Sequence, residues 1–188
     1  MEEKELTEEE KRDLLAIARK AVTNKLKGKE ESLYSKLSGL QSEGGAFVTI
    51  HKKGDLRGCI GMFESNLPLY KTIANMATSA AFKDPRFSPL KEEELEAIDF
   101  EISVLSPLRE IENMEEIEVG KHGIYVTKGF SRGVLLPQVA IEHGWDRETF
   151  LSHTCMKAGL PRDEWKRGVK MEVFSAQIFR EKSLSSEN

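Results

Sequence analysis

Apolar residues recur at Leu14, Leu15, Ala18, Ala21, Val22 and Leu26, the three-and-four spacing of a helix that buries one side. Thr7 and Glu10 frame its start as a capping box, in which hydroxyl and carboxylate each satisfy an otherwise unpaired backbone N–H. Gly28 marks its end. A polar stretch over 29–43 closes with Gly44-Gly45, and the apolar period then shortens. Two apolar runs, 46–50 and 56–62, flank Lys52-Lys53-Gly54-Asp55, a glycine-bearing turn that predicts an antiparallel hairpin. Asn66 and Pro68 open a second helix with Leu69, Ile73, Met76, Ala77 and Ala80 on its inward stripe. Asp84-Pro85 stops it, because proline drives the residue before it out of helical geometry.

Ser88-Pro89 introduces a short acidic helix over 91–96, and residues 99–105 then alternate. Phe100, Ile102 and Val104 take one side of that strand; Glu101, Ser103 and Leu105 take the other. A strand at 124–127 connects through 128–133 to a second at 134–136, and Pro137 starts a helical turn reaching His143. Asp146 caps a helix carrying Phe150, Leu151 and Cys155, closed by Gly159 and Pro161. Residues 169–180 are apolar on both parities: Val169, Met171, Val173 and Phe179 against Phe174, Ala176 and Ile178. That is the pattern of a strand covered on both faces, so it is expected inside the same sheet as the 46–61 hairpin. The tail from Ser183 is expected to fray.

Hairpins recur without a regular strand–helix alternation, which gives the α+β class: a mainly antiparallel sheet flanked by helices. No repeat or linker divides the chain, so 1–188 reads as one domain. Residues 113–168 hold their own hairpin and helices before the last strand, the makings of a smaller lobe and of a cleft between two lobes.

Composition narrows the function classes. At 188 residues with 39% hydrophobic residues the chain can bury a core, which excludes wholesale disorder. Its 28 basic and 32 acidic residues leave a net charge of −4, so bulk attraction to nucleic acid or anionic lipid is not expected. No apolar run reaches the ~20 residues of a membrane span, and Met1-Glu2-Glu3-Lys4-Glu5 is too acidic for a signal peptide. Two widely separated cysteines make no disulfide framework and point to a reducing, cytoplasmic setting.

The most unusual segment is Asp55-Leu56-Arg57-Gly58-Cys59-Ile60-Gly61. On a regular strand Arg57 and Cys59 share one face, and Leu56 and Ile60 the other. Two glycines weaken a strand, so they imply a bulge or a close approach by backbone or ligand. A guanidinium beside a thiol favours the thiolate, the reactive form. The segment therefore reads either as an activated Cys59 with an anion pocket around Arg57, or as a small buried thiol with Arg57 in an ordinary ion pair. Arg86, in Asp84-Pro85-Arg86-Phe87, either joins Arg57 in gripping a carboxylate or phosphate or caps its own helix end. Glu101 and Ser103 share a strand face and either line a cleft or meet water. Cys155 sits on an apolar helix face and reads as core. His51, His122, His143, His153 and the cysteines have no metal-ligand spacing, and no phosphate-binding glycine loop or nucleophile elbow occurs, so neither a metal nor a cofactor is assigned.

Leu56-Arg57-Gly58-Cys59-Ile60-Gly61 resembles the signature of the AMMECR family. Further segments agree in order: Asp84-Pro85-Arg86-Phe87, Glu101-Ile102-Ser103-Val104-Leu105, His122-Gly123-Ile124, Gly133-Val134-Leu135-Leu136-Pro137-Gln138-Val139-Ala140, Lys157-Ala158-Gly159-Leu160 and Trp165. The resemblance implies an α+β fold in two lobes with the signature near a cleft. It also implies a likeness to the A component of the AmmeMemoRadiSam set, whose other members are a Memo-like, dioxygenase-like protein and a radical S-adenosylmethionine protein. Carried over by motif, the cleft residues are Arg57, Gly58, Cys59 and Gly61, with Arg86 and Gln138 beside them. Two readings follow. One is a component of a modification or redox pathway, with Cys59 as nucleophile and an anionic ligand, small or borne on a macromolecule, held by the arginines. The other is a non-catalytic adaptor that docks onto those partners.

Overall fold

The computed structural model describes residues 5–181, so the tail from Ser183 lies outside the described residues. In chain order the elements are α1 (Glu8–Leu26), β1 (Ala46–Lys52), β2 (Asp55–Met62), α2 (Leu69–Phe82), β3 (Ile98–Leu105), β4 (Arg109–Glu110), β5 (Gly123–Lys128), β6 (Ser131–Leu135), α3 (Pro137–Glu142), α4 (Arg147–Lys157), β7 (Lys170–Phe174) and β8 (Ala176–Arg180). Short 3-10 turns occur at Glu92–Ala97 and Glu164–Arg167, among others. The class is α+β, with two four-stranded sheets whose strands run β2-β1-β3-β8 and β4-β7-β5-β6. No described helix is long and apolar enough to cross a membrane.

The chain divides into two compact units, one running to Leu105 and resuming at Gln177, the other spanning Ser106–Ala176. The second takes in the 113–168 stretch together with β4 and β7 on its flanks.

In the first unit the capping box forms as the sequence implies: Thr7 Oγ1 accepts from the Glu10 N–H, and Glu10 Oε2 accepts from the Thr7 N–H. The α1 stripe of Leu14, Ala18 and Val22 joins Ile73, Ala77 and Ala80 of α2 in covering one face of the sheet. Val48, Ile50, Phe100 and Ile102 supply that face from β1 and β3, all fully buried. Burying each such side chain contributes about 1.5–3 kcal/mol, so this layer dominates the unit's stability. The hairpin closes with Lys53 and Gly54 both at positive φ, 55° and 95°. That pair of conformations twists the turn in the same sense as the strands it joins.

In the second unit Ile124 and Val126 of β5 and Met171 and Val173 of β7 meet Phe150, Leu151 and Cys155 of α4. Gly133 of β6 is there for contact: a Cβ on it would lie 2.5 Å from the Ala158 nitrogen and 2.6 Å from the Thr154 carbonyl oxygen.

Residues 169–180 do not form one interior strand. They break at Ser175 into β7, interior to the second sheet, and β8, at the end of the first. The double apolar pattern has a different origin. Phe174 lays its ring over its cross-strand partner Gly123, while Ile178 is 41% exposed. At the break, the Ser175 N–H donates to Ser106 Oγ (2.9 Å) and the Ser106 N–H donates to the Ser175 carbonyl (3.0 Å).

A methyl group at position 133 would press on the Thr154 carbonyl oxygen and on the backbone nitrogen and Cβ of Ala158, none of them the far end of a flexible side chain. Gly133→Ala is expected to cost about 1–3 kcal/mol, read as a lower urea midpoint with the slope unchanged.

Candidate functional site

The register places the glycines of the hexapeptide first. Gly58 is buried opposite Ile50, and a Cβ there would stand 2.3 Å from the Ala80 carbonyl oxygen of α2. Gly61 is opposite Phe47, whose ring occupies the space where its Cβ would be, 2.2 Å away. Both glycines thus serve close packing within the first unit: one admits a helix backbone, the other an aromatic ring.

Between Gly58 and Leu56 the ladder slips. Ile50 pairs with Gly58 and His51 with Leu56, so Arg57 is the extra residue of a β-bulge. The bulge overturns the simple alternation expected of this segment. Leu56 stands across from His51 and Cys59 across from Thr49, on one face, while Arg57 leaves the ladder. Its guanidinium donates from Nε to Glu94 Oε1 and from Nη2 to Glu94 Oε2, both at 3.0 Å, and to the Ser88 carbonyl. Lys52 meets the same carboxylate at 2.8 Å. Bonding to Arg57, then to Lys52 and the Lys91 N–H, holds the Glu94 carboxyl down at about 2 despite burial that opposes it.

Cys59 lies on edge strand β2, and side chains close that edge. Asp84 Oδ2 accepts the Cys59 N–H at 2.9 Å, and Arg86 Nη2 reaches the Cys59 carbonyl at 3.4 Å. Arg86 also donates from Nε and Nη2 to the two Asp84 oxygens, 3.0 and 2.7 Å. Asp84 is almost wholly buried, whereas the Arg86 side chain is 55% exposed. The Arg86 bonds, aided by the Cys59 N–H, hold the Asp84 carboxyl far below the usual carboxylate range. This carboxylate and guanidinium occupy the donor and acceptor positions that a neighbouring strand would fill, and so blunt an exposed edge. Phe87 is a common neighbour of the two arginines, with its ring centroid 5.9 Å from the Arg57 guanidinium and 5.5 Å from that of Arg86. Each is matched to a carboxylate of its own.

The face of β1, β2 and β3 opposite the helices carries the remaining polar groups. One row runs Cys59–Thr49–Glu101, with Thr49 Oγ1 3.2 Å from Cys59 Sγ. The next runs Leu56–His51–Asp99. His51 Nε2 stands 3.8 Å from Glu101 Oε2 of the first row, and neither ring nitrogen has a hydrogen-bond partner. Arg180 of β8 meets Glu101 at 3.2 Å and Asp99 at 3.4 Å. Glu101 and Ser103 do share a strand face, as expected, and Ser103 is buried on it. Sequence spacing tested His51 only as a metal ligand and missed this neighbourhood. The signal was the matched parity of Thr49 and His51 with Asp99 and Glu101, legible once the strands are paired. Among the described residues no group of three or more His, Cys, Asp or Glu is placed to hold a metal ion.

The other candidates belong to the second unit. Gln138 lies on α3, its Oε1 buried without a hydrogen-bond partner. Cys155 is fully buried in the α4 core, and burial pushes its thiol up.

Glu94 and Asp84 are more acidic folded than unfolded, so each adds stability above the ordinary carboxylate range and loses it as pH falls. For Glu94 the loss spans from about pH 5 to about 2. Urea midpoints measured at pH 7, 5 and 3 are expected to fall in that order. Glu94→Gln should cost on the order of 2–3 kcal/mol at pH 7 by stranding Arg57, and should flatten the acid slope. A wild-type midpoint that stays constant down to pH 3 would count against both ion pairs.

Comparison with known proteins agrees with the motifs. The AMMECR1 family model matches residues 15–179. A protein of Methanothermobacter thermautotrophicus is 47% identical, over 94% of this chain and 96% of its own length. One from Methanocaldococcus jannaschii is 44% identical, over 94% and 92%. The crystal structure of an uncharacterized protein from Pyrococcus horikoshii superposes with a TM-score of 0.83 at 41% identity, over 90% of each chain. With a family model spanning most of the sequence and relatives this similar over nearly their full length, the chain belongs to the AMMECR1 family.

Proposed function

We propose that the chain is the thiol-bearing component of a cytoplasmic modification or redox pathway, with Cys59 as nucleophile on the outer face of β1, β2 and β3. The placement of the two thiols carries this reading. Cys155 is sealed in a core, whereas Cys59 is only half-buried, on a polar face, with its backbone clamped by Asp84 and Arg86. A nucleophile gains from a backbone that cannot shift, because reaction demands a fixed approach to the electrophile. Gly58 and Gly61 support the site by setting the strand's position rather than by touching a ligand. An anionic group on the ligand, small or macromolecule-borne, would be met by the half-exposed Arg86; Arg57 is committed to Glu94. Gln138 enters this reading only as a family-motif residue. The partners it calls for are the Memo-like and radical S-adenosylmethionine proteins implied by the motif resemblance.

The adaptor reading has an observation of its own in the second unit. Phe130, at the β5–β6 hairpin tip, is fully exposed, and Ile141 and Met156 are 62% and 54% exposed. Large apolar side chains held in water are typical anchors for a partner.

Alkylation of the native protein by iodoacetamide, followed by mass spectrometry, separates the readings. Cys59 is expected to label at least about tenfold faster than Cys155 at pH 7. Equal protection of both thiols, or faster labelling of Cys155, removes the nucleophile. Phe130→Ser with intact thiol reactivity but lost co-purification of the partners would establish the adaptor.

A further inference from the structure

We propose that β6 is a docking edge whose occupant is an extended, acidic segment of another protein, added to the second sheet as a strand antiparallel to β6. The inference does not depend on Cys59; it supplies a contact for the adaptor reading.

β6 stands at the end of its sheet, with β5 as its strand neighbour. Lys128 and Ser131 close the two-residue turn, and hydrogen-bonded pairs then alternate with non-bonded ones along the ladder. Ser131, Gly133 and Leu135 therefore turn their main-chain groups toward β5, whereas Arg132 and Val134 turn theirs outward. Each of these two offers one N–H donor and one carbonyl acceptor, and no described backbone or side-chain group hydrogen-bonds to any of them. The contrast with β2 is direct, because there Asp84 and Arg86 fill the equivalent positions around Cys59. β6 carries no such guard, and a free row of donors and acceptors is what an added strand binds.

The side chains along the edge select the occupant. Arg132 is exposed and no described carboxylate meets it, although Arg109 and Arg167 of the same unit are paired with Glu116 and Asp163. Phe130, two residues earlier at the hairpin tip, is fully exposed. In an added antiparallel strand, the residue across from Arg132 lies on the same face of the sheet, where a carboxylate would meet the guanidinium. Two residues further along that strand, an apolar side chain would reach Phe130. The recognised pattern is an acidic residue followed two positions later by an apolar one.

A second copy of this chain fits the edge poorly. Pairing β6 with itself about Gly133 would set two Arg132 side chains diagonally on one face, roughly 7–8 Å apart at their bases and alike in charge. It would also crowd the helices. The α4 backbone at Thr154 and Ala158 stands over Gly133. Paired strands lie only ~4.8 Å apart, whereas packed helices stand about 8–10 Å apart. A single strand with no helix of its own meets neither conflict.

The test uses the full chain and two fluorescein-labelled peptides, Thr-Val-Thr-Glu-Thr-Leu-Thr and its counterpart with Lys in place of Glu. Anisotropy measures affinity, and amide hydrogen exchange locates the contact. In the free chain the Arg132 and Val134 amides are expected to exchange quickly, with those of Gly133 and Leu135 protected. The Glu peptide should slow exchange at 132 and 134 at least about tenfold, and the Lys peptide should bind about fivefold more weakly. Val134→Pro removes one outward N–H and spares the β5 ladder, so it should weaken binding about tenfold. Arg132→Glu should invert the preference between the peptides, and it decides the matter if Val134→Pro does not fold. Cys59 alkylation is expected to be unchanged in both variants, which keeps the thiol reading a separate question. Protection of the 132 and 134 amides in the free chain would overturn the proposal. So would absence of saturable binding at about millimolar Glu peptide, or binding that leaves exchange at 132 and 134 unchanged. A dimer in sedimentation that Val134→Pro dissociates would make a second copy the occupant and overturn the peptide.

Discussion

The Ala80 carbonyl oxygen lies 2.3 Å from where a side chain at position 58 would begin, and much of the first unit depends on that contact. Only a residue without a Cβ lets the backbone of α2 rest on β2. The helix then ends at Phe82 at the right height for Asp84 to take the Cys59 N–H. Pro85 stops the chain from continuing as helix, and Arg86 turns back onto both Asp84 and the Cys59 carbonyl. A larger residue at 58 would therefore do more than disturb packing. It would lift the clamp from the edge strand and free the backbone beneath the thiol.

The same unit shows how a chain with 32% charged residues keeps them from working against one another. Near β2 and β3 each guanidinium has its carboxylate: Arg57 with Glu94, Arg86 with Asp84, Arg180 with Asp99 and Glu101. Pairs this close to the interior contribute little net energy, because desolvation offsets attraction, but losing one member leaves a stranded charge. Their effect is geometric. They hold the bulge, the strand edge and the outer face in one arrangement, and they leave each guanidinium near Cys59 matched to a carboxylate.

Much of this was legible beforehand, for definite reasons. The Thr7–Glu10 box, the α1 stripe, the Lys53-Gly54 turn and the Asp84-Pro85 stop are local devices, and local devices write themselves into adjacent residues. The α+β class followed from them. What failed was non-local. The bulge at Arg57 is defined by the partner strand, so alternation within 55–61 could not reveal that Leu56 and Cys59 stand on one side. The break at Ser175 is set by a partner almost seventy residues away, so 169–180 looked like one strand with two apolar faces. His51 was unremarkable until Asp99 and Glu101 came alongside it. Gly58 and Gly61 are required by close approach, as two glycines in a strand imply, but what approaches is the protein itself.

The reciprocal serine pair at 106 and 175 closes the stretch of chain that carries the second sheet. The polypeptide leaves the first sheet after Leu105 and rejoins it at Ala176 through neighbouring positions, tied by two backbone-anchored bonds. Everything between, including a complete four-stranded sheet, is strung on a loop whose ends already touch. Closing a loop costs only about 0.6 kcal/mol more for each doubling of its length. Lengthening such a loop until it holds a core of its own is therefore nearly free in chain entropy for the sheet that carries it. The second unit is thus an insertion in the sequence of the first, which breaks off after Leu105 and resumes at Gln177.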